Sequence, residues 1–474
     1  MDLSYDVASQ LAQVSNGRGG TIDLAWYGGR IASATDQSGR TASYAYSAAG
    51  DLTQVTLPDG SAVGYEYDSA HRILTATAAD GGQTTNVYDS SNRVTSQTDP
   101  LGREMTFAYA DGETTITAPD GAVKIDRYVD GQLRSETLAA GTPLEATTYF
   151  TYGATNQVVA TTDPLERATW FAYDERGNRT SVTDPLGRTS TTTYGEWNNP
   201  LEVTNAAGET TTFTYDDHGN LLSITNQAGE STSFTVNGDG TIATSIDPLG
   251  RTTTFTYYAR GFLSTATCPD GAVATTSYDS AGRLLATTDP RGNVSGADPA
   301  DYTSTFTYDP AGRRLTSTDP LGAVVTAAYD AAGRPTTSTD ALDATTTSEY
   351  DLAGQLTAVT DAEGNLTEFT YYPAGRVTSV TDATGAVTST TYDVLGRSVT
   401  VTDPLGRVTA TEYDAANRVT AVVDAEGNRT EYTYDAADEL VSVTDALGVV
   451  TSSTYDAAGR PVTVTDALGR VTRT

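Results

Sequence analysis

The chain of 474 residues carries a formal net charge of −33 and has a pI near 4.2. A surface this acidic repels phosphate backbones and anionic lipids, so binding to nucleic acid or to a membrane surface is disfavoured. Cys268 is the only cysteine, which excludes a disulfide framework and a cysteine-based metal cluster. The sequence also lacks a membrane-spanning apolar run and a basic-then-apolar secretory signal at its N-terminus.

High charge and few large aliphatic residues are typical of disordered chains, but this sequence predicts an ordered β protein. Its turn residues recur at fixed offsets, and the residues between them are mainly Thr, Val, Tyr and Ser, which favour strands. Most of the 28 tyrosines fall at one repeated position, where we expect neighbouring copies to bury the rings. We therefore expect a Thr-rich β fold with a thin core.

An anchor tyrosine recurs along the whole chain. Its period is variable within 1–151 and regular within 152–474, at about 21 residues, and it is lengthened once by an insertion at 294–302. Units of this period must stack on their neighbours to bury a face, so we predict one continuous elongated array. The 22 anchor positions, one of them lapsed to valine, are Tyr5, Tyr27, Tyr46, Tyr67, Tyr88, Tyr109, Tyr128, Tyr152, Tyr173, Tyr194, Tyr215, Val236, Tyr257, Tyr278, Tyr308, Tyr329, Tyr350, Tyr371, Tyr392, Tyr413, Tyr434 and Tyr455.

Each repeat contains two turns. The stretch 392–413 reads YDVLGRSVTVTDPLGRVTATEY, with Asp-x-x-Gly-Arg at 393–397 and again at 403–407. Asp, Pro, any residue and Gly suit the four positions of a type I turn, and the segments between turns alternate with period two. Each repeat is therefore predicted to be an antiparallel β-hairpin, in which Asp and Arg face each other across the turn.

About 22 such hairpins give roughly 44 strands, or a ribbon about 210 Å long and about 20 Å wide. A sheet of that length must coil, so we predict a spiral or a curved shell wall. Closed in a single circuit, the ribbon would have a diameter of about 65–70 Å. The 474 residues alone would then form an open arc or a short spiral that encloses nothing.

These residues resemble the RHS, or YD, repeat family, whose pattern is close to YDxxGRLTxxTDPxGRxTxxxY. The stretches 173–194, 308–329 and 392–413 match it closely, and the resemblance covers 5–474. The family includes bacterial polymorphic toxins, toxin-complex shell subunits and the animal teneurins. The resemblance implies a hollow β shell that wraps a toxin polypeptide until delivery. The family's self-cleaving core segment and toxin have no counterpart in this sequence, so autoproteolysis is not implied, and we expect the array to continue beyond both ends.

The residues that could form a catalytic or metal site in this sequence also fit structural roles in turns. Asp recurs dozens of times at a turn position, and His71 and His218 lie in separate repeats without a nucleophile nearby, so we interpret them as turn residues. Cys268 is expected to replace a strand-end Thr. Calcium is the sharper alternative at 361–365 and 424–428, both Asp-Ala-Glu-Gly-Asn, but these lack the spaced ligands of an EF-hand loop.

The sequence thus predicts a structural wall segment of an RHS-type shell that encapsulates a toxin polypeptide, with no enzyme activity and no catalytic, cofactor or metal site. The partners would be a C-terminal toxin cargo in cis, outside these residues, and other shell or secretion subunits. The location would be secreted or on the bacterial cell surface. The alternative is a cell-surface adhesion or glycan-binding array, in which exposed tyrosine rows stack on sugars. The insertion at 294–302 is a further candidate for a binding loop.

Overall fold

A computed structural model describes residues 1–473, which form 45 β-strands and two short 3₁₀ helices. The predicted all-β array of antiparallel hairpins is confirmed, and its strand count is close to the expected 44. Thr474, the last residue of the predicted regular segment 152–474, lies outside the described residues. None of the described helices is long and apolar enough to cross a membrane.

The strands are numbered in chain order. The first fifteen, β1 to β15, are Asp2–Tyr5, Leu11–Ser15, Thr21–Tyr27, Arg30–Asp36, Thr41–Tyr46, Leu52–Thr56, Ala62–Tyr67, Ile73–Thr77, Gln83–Tyr88, Val94–Thr98, Glu104–Ala110, Glu113–Thr117, Val123–Val129, Gln132–Leu138 and Ala146–Tyr152. The next fifteen, β16 to β30, are Val158–Thr162, Ala168–Tyr173, Arg179–Thr183, Thr189–Tyr194, Pro200–Thr204, Thr210–Tyr215, Leu221–Thr225, Ser231–Val236, Ile242–Ile246, Thr252–Tyr257, Leu263–Thr267, Val273–Tyr278, Leu284–Thr288, Thr303–Tyr308 and Arg314–Thr318. The last fifteen, β31 to β45, are Val324–Tyr329, Pro335–Thr339, Thr345–Tyr350, Leu356–Thr360, Leu366–Tyr371, Val377–Thr381, Val387–Tyr392, Ser398–Thr402, Val408–Tyr413, Val419–Val423, Arg429–Tyr434, Leu440–Thr444, Val450–Tyr455, Pro461–Thr465 and Val471–Arg473.

The residues pack as two units, each built from two separate segments. Packing unit 1 comprises Met1–Glu104 and Ser233–Glu368, and packing unit 2 comprises Met105–Thr232 and the stretch from Phe369 onward. Strands that follow one another in a segment pair antiparallel, from β1 to β10 and β23 to β35 in unit 1. The same holds from β11 to β22 and β36 to β45 in unit 2. The sequence division into 1–151 and 152–474 describes repeat regularity and stays a prediction.

The turn after each anchor tyrosine is a tight hairpin connection. At 393–397 the Gly396 N–H donates to the Asp393 carbonyl (2.9 Å), and the Asp393 N–H donates to the Arg397 carbonyl (3.0 Å). Gly396 has a φ of 81°, and one extra residue on the following strand shifts the register at Tyr392. This is a type I turn closed by a left-handed glycine and a bulge, one of the common hairpin connections.

Two kinds of turn alternate along the ribbon. We call the turn after an anchor tyrosine a YD turn and the turn half a repeat later a DP turn, as at 393–397 and 403–407. Because consecutive strands run in opposite directions, the YD turns line one edge of each ribbon segment and the DP turns line the other. The long-range contacts between distant repeats are made at these two edges.

The fourth turn residue requires a positive φ, which gives a direct test of the turn geometry. Gly406 has a φ of 79° and open space where a side chain would begin, while Asn417 holds the same turn position with a φ of 65°. We therefore expect Gly406→Asn to cost well under about 1 kcal/mol and Gly406→Val to cost more than about 1–2 kcal/mol. Urea unfolding of the two variants measures this, and equal costs would contradict the turn assignment.

The core is as thin as the composition predicts. Among the described residues the buried hydrophobic side chains are all alanines, namely Ala139, Ala146, Ala160, Ala358 and Ala421, and no large side chain is fully buried. Threonine hydroxyls pair across neighbouring strands instead, as between Thr391 and Thr400 (2.6 Å) and between Thr307 and Thr316 (2.7 Å). Stability must therefore come mainly from the ladder of strands and from the turns.

The insertion replaces one DP turn with a longer loop. The loop contains the 3₁₀ helices Pro290–Asn293 and Pro299–Tyr302, the second of which lies within the predicted insertion at 294–302. The Asp289 N–H donates to the Tyr302 carbonyl (3.0 Å), which brings the two ends of the loop together. Strand pairing continues across it with Ala286 opposite Thr305. The insertion therefore leaves the ribbon intact and adds material only at the DP edge.

Candidate functional site: the seam between the turn edges

The first residue of each turn organises that turn. In the DP turn at 403–407, Asp403 Oδ1 accepts hydrogen bonds from the Leu405 and Arg407 backbone N–H groups (2.9 and 3.0 Å). Asp403 Oδ2 accepts one from Arg407 Nε (2.6 Å). The Arg407 guanidinium is the main cause that lowers the pKa of Asp403, together with those backbone donors. The Asp–Arg pair expected from the sequence is confirmed at this and equivalent turns.

The anchor tyrosines join consecutive repeats through their hydroxyl groups. Tyr392 donates to the Val377 carbonyl (2.8 Å), and Tyr413 donates to the Ser398 carbonyl (2.9 Å), in each case 15 residues upstream. Their rings are half-buried and do not stack on one another. The face of each of these two rings is covered by an arginine.

That arginine is the fifth residue of the preceding YD turn. The Arg397 guanidinium lies over the Tyr413 ring (4.9 Å to the centroid), and Arg397 Nη1 donates to the Asp414 carbonyl (2.7 Å). Its Nε remains bonded to Asp393 Oδ2 of its own turn (2.7 Å). We call this arrangement the Tyr–Arg rung. Where a YD turn ends in Arg, as at Arg397 and Arg418, this rung fixes one repeat to the next through a hydrogen bond, an ion pair and a cation–π contact.

In packing unit 1 the DP edge of the first segment meets the YD edge of the second. Arg313 Nη2 lies 2.9 Å from Asp59 Oδ2, and Arg334 Nη2 lies 2.8 Å from Asp80 Oδ2. Arg103 Nη1 donates to Gln355 Oε1 (2.8 Å). The partners are 252 to 254 residues apart in sequence. That separation equals about twelve repeats.

Packing unit 2 contains the same kind of contact between its own two segments. Arg376 reaches Asp120 (3.1 Å), Arg188 reaches Glu439 (2.7 Å), and Arg460 reaches Glu209 (2.8 Å). These partners are 251 to 256 residues apart. We call this contact between a DP edge and a YD edge the seam. In each packing unit the ribbon thus meets its own edge after about twelve repeats.

Residues of opposite charge pair across much of the seam. Where the DP turn has Asp at its third position, as at 57–61, 78–82 and 118–122, the facing YD turn ends in Arg. The DP turns that end in Arg103 and Arg188 face YD turns that end in Gln355 and Glu439, whereas Arg167 reaches Asp438, the fourth residue of a YD turn. These pairs each join an arginine to a carboxylate or an amide. The DP turn at 36–40, which ends in Arg40, lies instead against the YD turn that ends in Arg283, since Gln37 Nε2 donates to the Ser280 carbonyl (3.1 Å). The exposure of the pairs varies, from Arg334 and Asp80 with side chains only 19% and 12% exposed to Arg460 and Glu209 at 56% and 28%.

Sequence reasoning missed the seam, although the signal was present. Departures from Asp-x-x-Gly-Arg look like decay of the repeat, yet they are complementary between turns about twelve repeats apart.

Cys268 was expected at a strand end, but it occupies the first position of a turn. The Gly271 N–H donates to its carbonyl (2.9 Å), as in the other turns. Cys268 therefore replaces the turn Asp, and the role of the carboxylate passes to Asp270, which accepts from the Ala272 N–H (3.0 Å).

The histidines lie in exposed turns, as their sequence positions indicate. His71 Nδ1 lies 2.6 Å from Asp51 Oδ1, and His218 Nδ1 lies 2.8 Å from Asp217 Oδ1. Asp216, Asp217 and His218 come close enough to share an ion, but the last two side chains are 90% and 79% exposed. This is an ordinary acidic turn surface rather than an enclosed ligand set.

The two calcium candidates are variants of the same turn. Asp361 Oδ1 accepts from the Glu363 and Asn365 backbone N–H groups, and Oδ2 accepts from the Asn365 amide nitrogen (2.9 Å). The Asn365 hydrogen bond is the main cause that lowers the pKa of Asp361. Asp424 and Asn428 repeat this geometry. The amide nitrogen takes the place of the usual arginine, so both carboxylate oxygens already have donors.

A cavity of about 880 Å³ lies between the insertion and the next DP turn. Arg291 is the basic residue in its lining, and its Nε is bonded to Asp289 (2.8 Å) while its guanidinium lies over the Tyr302 ring (5.4 Å). Asp301 and Asp319 complete the charged lining. The cavity is open and its arginine is already paired, so its geometry selects no ligand class.

Low pH should weaken the turns. Burial alone would raise the pKa of Asp36, but hydrogen bonds from Ser38 and Arg40 outweigh it and lower that pKa from 3.8 to about 2. A carboxylate whose pKa is lowered on folding stabilises the fold above its unfolded pKa, and this contribution is lost as pH falls through the folded value. We expect the urea midpoint, measured in 0.5 M NaCl to screen the net charge, to fall between pH 4 and pH 2. A constant midpoint down to pH 2 would contradict this.

Profiles of the RHS Repeat family match more than half of the chain. The matched ranges are 28–62, 46–83, 88–123, 278–324, 329–366, 371–408, 413–450 and 434–471. The chain belongs to the RHS repeat family. A Teneurin YD-shell model also matches residues 113–296. No curated protein matches this RHS chain.

Solved structures share the fold of this RHS chain. The crystal structure of TcdB2-TccC3-Cdc42 aligns with a TM-score of 0.53 at 15% identity, over 95% of this chain and 28% of that chain. The crystal structure of TcdB2-TccC3-TEV gives 0.52 at 16%, over 94% and 26%. A Tc holotoxin pore from Photorhabdus luminescens gives 0.52 at 17%, over 97% and 27%. This chain spans little more than a quarter of their length, and at these identities the likeness shows the fold alone.

Proposed function

We propose that this RHS chain is a structural wall segment of a shell that encapsulates a toxin polypeptide before delivery. The chain is not an enzyme, its cargo is a toxin joined in cis, and other shell or secretion subunits are its further partners. Its place of action is outside the bacterial cell or on its surface. Family membership and the fold shared with TcdB2-TccC3 structures support this proposal.

The seam is the observation that carries the proposal. A ribbon about 20 Å wide forms a continuous barrier only if its successive passes are joined edge to edge. The pairs Arg313–Asp59 in packing unit 1 and Arg188–Glu439 in packing unit 2 make that join about every twelve repeats. A protein that only displayed repeats for adhesion would need no such contact between distant repeats.

The alternative, a glycan-binding array, requires free tyrosine faces and hydroxyls. The anchor hydroxyls of Tyr392, Tyr413 and Tyr434 all donate to backbone carbonyls, and arginines cover the rings of all three. The anchor row is therefore used internally, which favours the wall over the platform.

Protease protection tests the proposal. A protease-sensitive reporter domain is placed at the C-terminus of the complete reading frame that contains these residues, and its digestion by thermolysin is followed on gels. We expect the reporter to resist digestion at least tenfold longer than the free domain. Substituting Arg313→Ala and Arg334→Ala together should remove protection, because both arginines close the seam.

A matched control separates wall function from general stability. Among the described residues Arg407 forms its ion pair with its own Asp403, and its side chain is 60% exposed, so Arg407→Ala should leave the reporter protected. Digestion of the unsubstituted protein at the rate of the free reporter would refute the shell function. Protection that survives loss of the seam arginines, in protein shown to be folded, would refute the role of the seam.

A further inference from the structure

The chain contains two Asn-Gly dipeptides, Asn16-Gly17 and Asn237-Gly238. Glycine has no side chain to shield its backbone nitrogen, so an asparagine followed by glycine is open to attack by that nitrogen. Each asparagine is the first residue of a turn, at 16–20 and at 237–241, and both dipeptides are exposed. The two sites therefore share their dipeptide, their turn position and their access to solvent. They differ in how the turn holds the asparagine carboxamide.

The carboxamide of Asn16 is fixed by its own turn. Asn16 Oδ1 accepts hydrogen bonds from the backbone N–H groups of Arg18 and Gly20 (both 2.9 Å). Asp403 Oδ1 plays the same role in its turn. Closing a five-membered ring between the Asn16 carboxamide carbon and the Gly17 nitrogen turns the carboxamide, so both of these hydrogen bonds must break first.

The carboxamide of Asn237 is not fixed in this way, because another residue holds the backbone of its turn. Asp239 Oδ1 accepts from the Thr241 N–H (3.0 Å) and from the Thr241 hydroxyl (2.6 Å). Among the described residues no backbone N–H donates to Asn237 Oδ1, and the carboxamide makes a single hydrogen bond, from Nδ2 to Thr241 Oγ1 (2.9 Å). The space beside Gly238 is open. The Asn237 carboxamide therefore turns toward the Gly238 nitrogen without loss of a backbone hydrogen bond.

We propose that Asn237 is a site of spontaneous modification, at which the Gly238 backbone nitrogen attacks the Asn237 side chain. The Gly238 nitrogen gives up its proton and forms a bond to Asn237 Cγ, and the side-chain nitrogen leaves with a proton as ammonia. Water then opens the resulting five-membered imide at either of its two carbonyl carbons. Residue 237 becomes aspartate in one product and isoaspartate in the other, in which the main chain runs through the side-chain carbon.

The two products have different effects on the turn. Aspartate restores the residue that begins turns such as the one at 403–407. Isoaspartate adds one methylene to a turn that is closed by the Gly240 N–H on the Asn237 carbonyl (2.9 Å) and by the Asn237 N–H on the Thr241 carbonyl (2.8 Å). That first carbonyl leaves the path of the main chain, so the turn opens. Arg18 of the seam reaches the carbonyl (2.5 Å) and the carboxylate (3.5 Å) of Asp239, so this contact is loosened as well.

Ageing of the purified protein tests the proposal, with the two asparagines as an internal comparison. The protein is held at pH 8 and 37 °C, and digested samples are analysed by mass spectrometry with chromatographic separation of the aspartate and isoaspartate peptides. We expect conversion of Asn237 to be at least about tenfold faster than conversion of Asn16, since two backbone hydrogen bonds must break at Asn16. In 8 M urea the two rates should become similar, because neither turn is then formed.

Hydrogen exchange of the aged protein measures the effect on the turn. Exchange in β23 and β24, which flank residues 237–241, should become faster as isoaspartate accumulates. Asn237→Asp is the matched control, because it has the charge of the products without the added methylene, and its exchange should equal that of fresh protein.

Each outcome decides the proposal. Equal conversion of the two asparagines in the folded protein, or conversion of neither, would overturn it. So would a preference for Asn237 that persists unchanged in urea, since the turn would then not be its cause. Exchange in β23 and β24 that does not change as isoaspartate accumulates would overturn the remodelling of the turn. Faster conversion of Asn237 in the folded protein alone, with faster exchange in the aged protein but not in Asn237→Asp, supports the proposal.

Discussion

Replacing Arg334 by alanine should lower the free energy of unfolding of the strands around it by about 2–4 kcal/mol. Arg334 holds Asp330 Oδ2 of its own turn (2.6 Å) and the Asp351 carbonyl of the next YD turn (2.9 Å). It also lies over the Tyr350 ring (5.0 Å) and bonds Asp80 across the seam (2.8 Å). The side chain is only 19% exposed, so its removal leaves two carboxylates and a carbonyl poorly solvated.

Urea unfolding and amide hydrogen exchange of β32, β33 and β34 measure this effect. Exchange is the sharper probe, because repeat arrays unfold in parts and a single global free energy is not defined. Arg407→Ala is the control and should cost about 0.2–1 kcal/mol, as expected for an exposed pair. Equal effects of the two substitutions would show that the contacts of Arg334 beyond its own turn contribute nothing.

Replacing Tyr392 by alanine should destabilise its surroundings by about 2–3 kcal/mol, somewhat less than loss of a fully buried aromatic side chain. The ring is half-buried under Arg376 (5.8 Å), and its hydroxyl donates to the Val377 carbonyl (2.8 Å). Tyr392→Phe removes only that hydrogen bond and should cost about 1 kcal/mol. Hydrogen exchange in β36, β37 and β38 should report the loss, while distant repeats stay protected.

Tyr27 offers a matched control, since it is an anchor at the N-terminal end with a side chain that is 84% exposed. Tyr27→Ala should change stability by no more than about 0.5 kcal/mol. If Tyr392→Ala leaves stability unchanged but abolishes binding to a glycan array, the anchor row is a sugar platform and the rung interpretation fails.

The sequence predicts the hairpin, its turns and its Asp–Arg pairs well, because these are local consequences of Asp, Gly and β-branched residues at fixed offsets. It predicts poorly what the anchor tyrosine contacts. The Tyr413 ring is covered by Arg397 of the preceding YD turn, which depends on the bulge that offsets the strands after each YD turn. Ring burial alone does not distinguish this arrangement from stacked tyrosines.

The number of strands expected from the sequence does not predict how many repeats separate the two partners of a seam contact. Curvature of the ribbon depends on sheet twist and on bulges, and each repeat contributes only a small increment that accumulates over about twelve repeats. The charges at the ends of the turns carry the missing information. Glu209 departs from the consensus arginine at the end of its turn, whereas Arg460 follows it. Their pairing across 251 residues explains both.

Chemical cross-linking of that pair tests the seam most directly. Glu209→Cys and Arg460→Cys are combined with Cys268→Ser, and the purified protein is treated with a short bismaleimide. Both native side chains are partly exposed, so the substitutions should leave the fold intact. We predict rapid intramolecular cross-linking at low protein concentration, seen as one peptide pair by mass spectrometry. Glu230→Cys with Arg460→Cys, which lies one repeat out of register and is displaced by about 10 Å, should cross-link far more slowly. Equal rates for the two pairs, or no cross-link between residues 209 and 460, would contradict a seam that joins the ribbon to its own edge every twelve repeats.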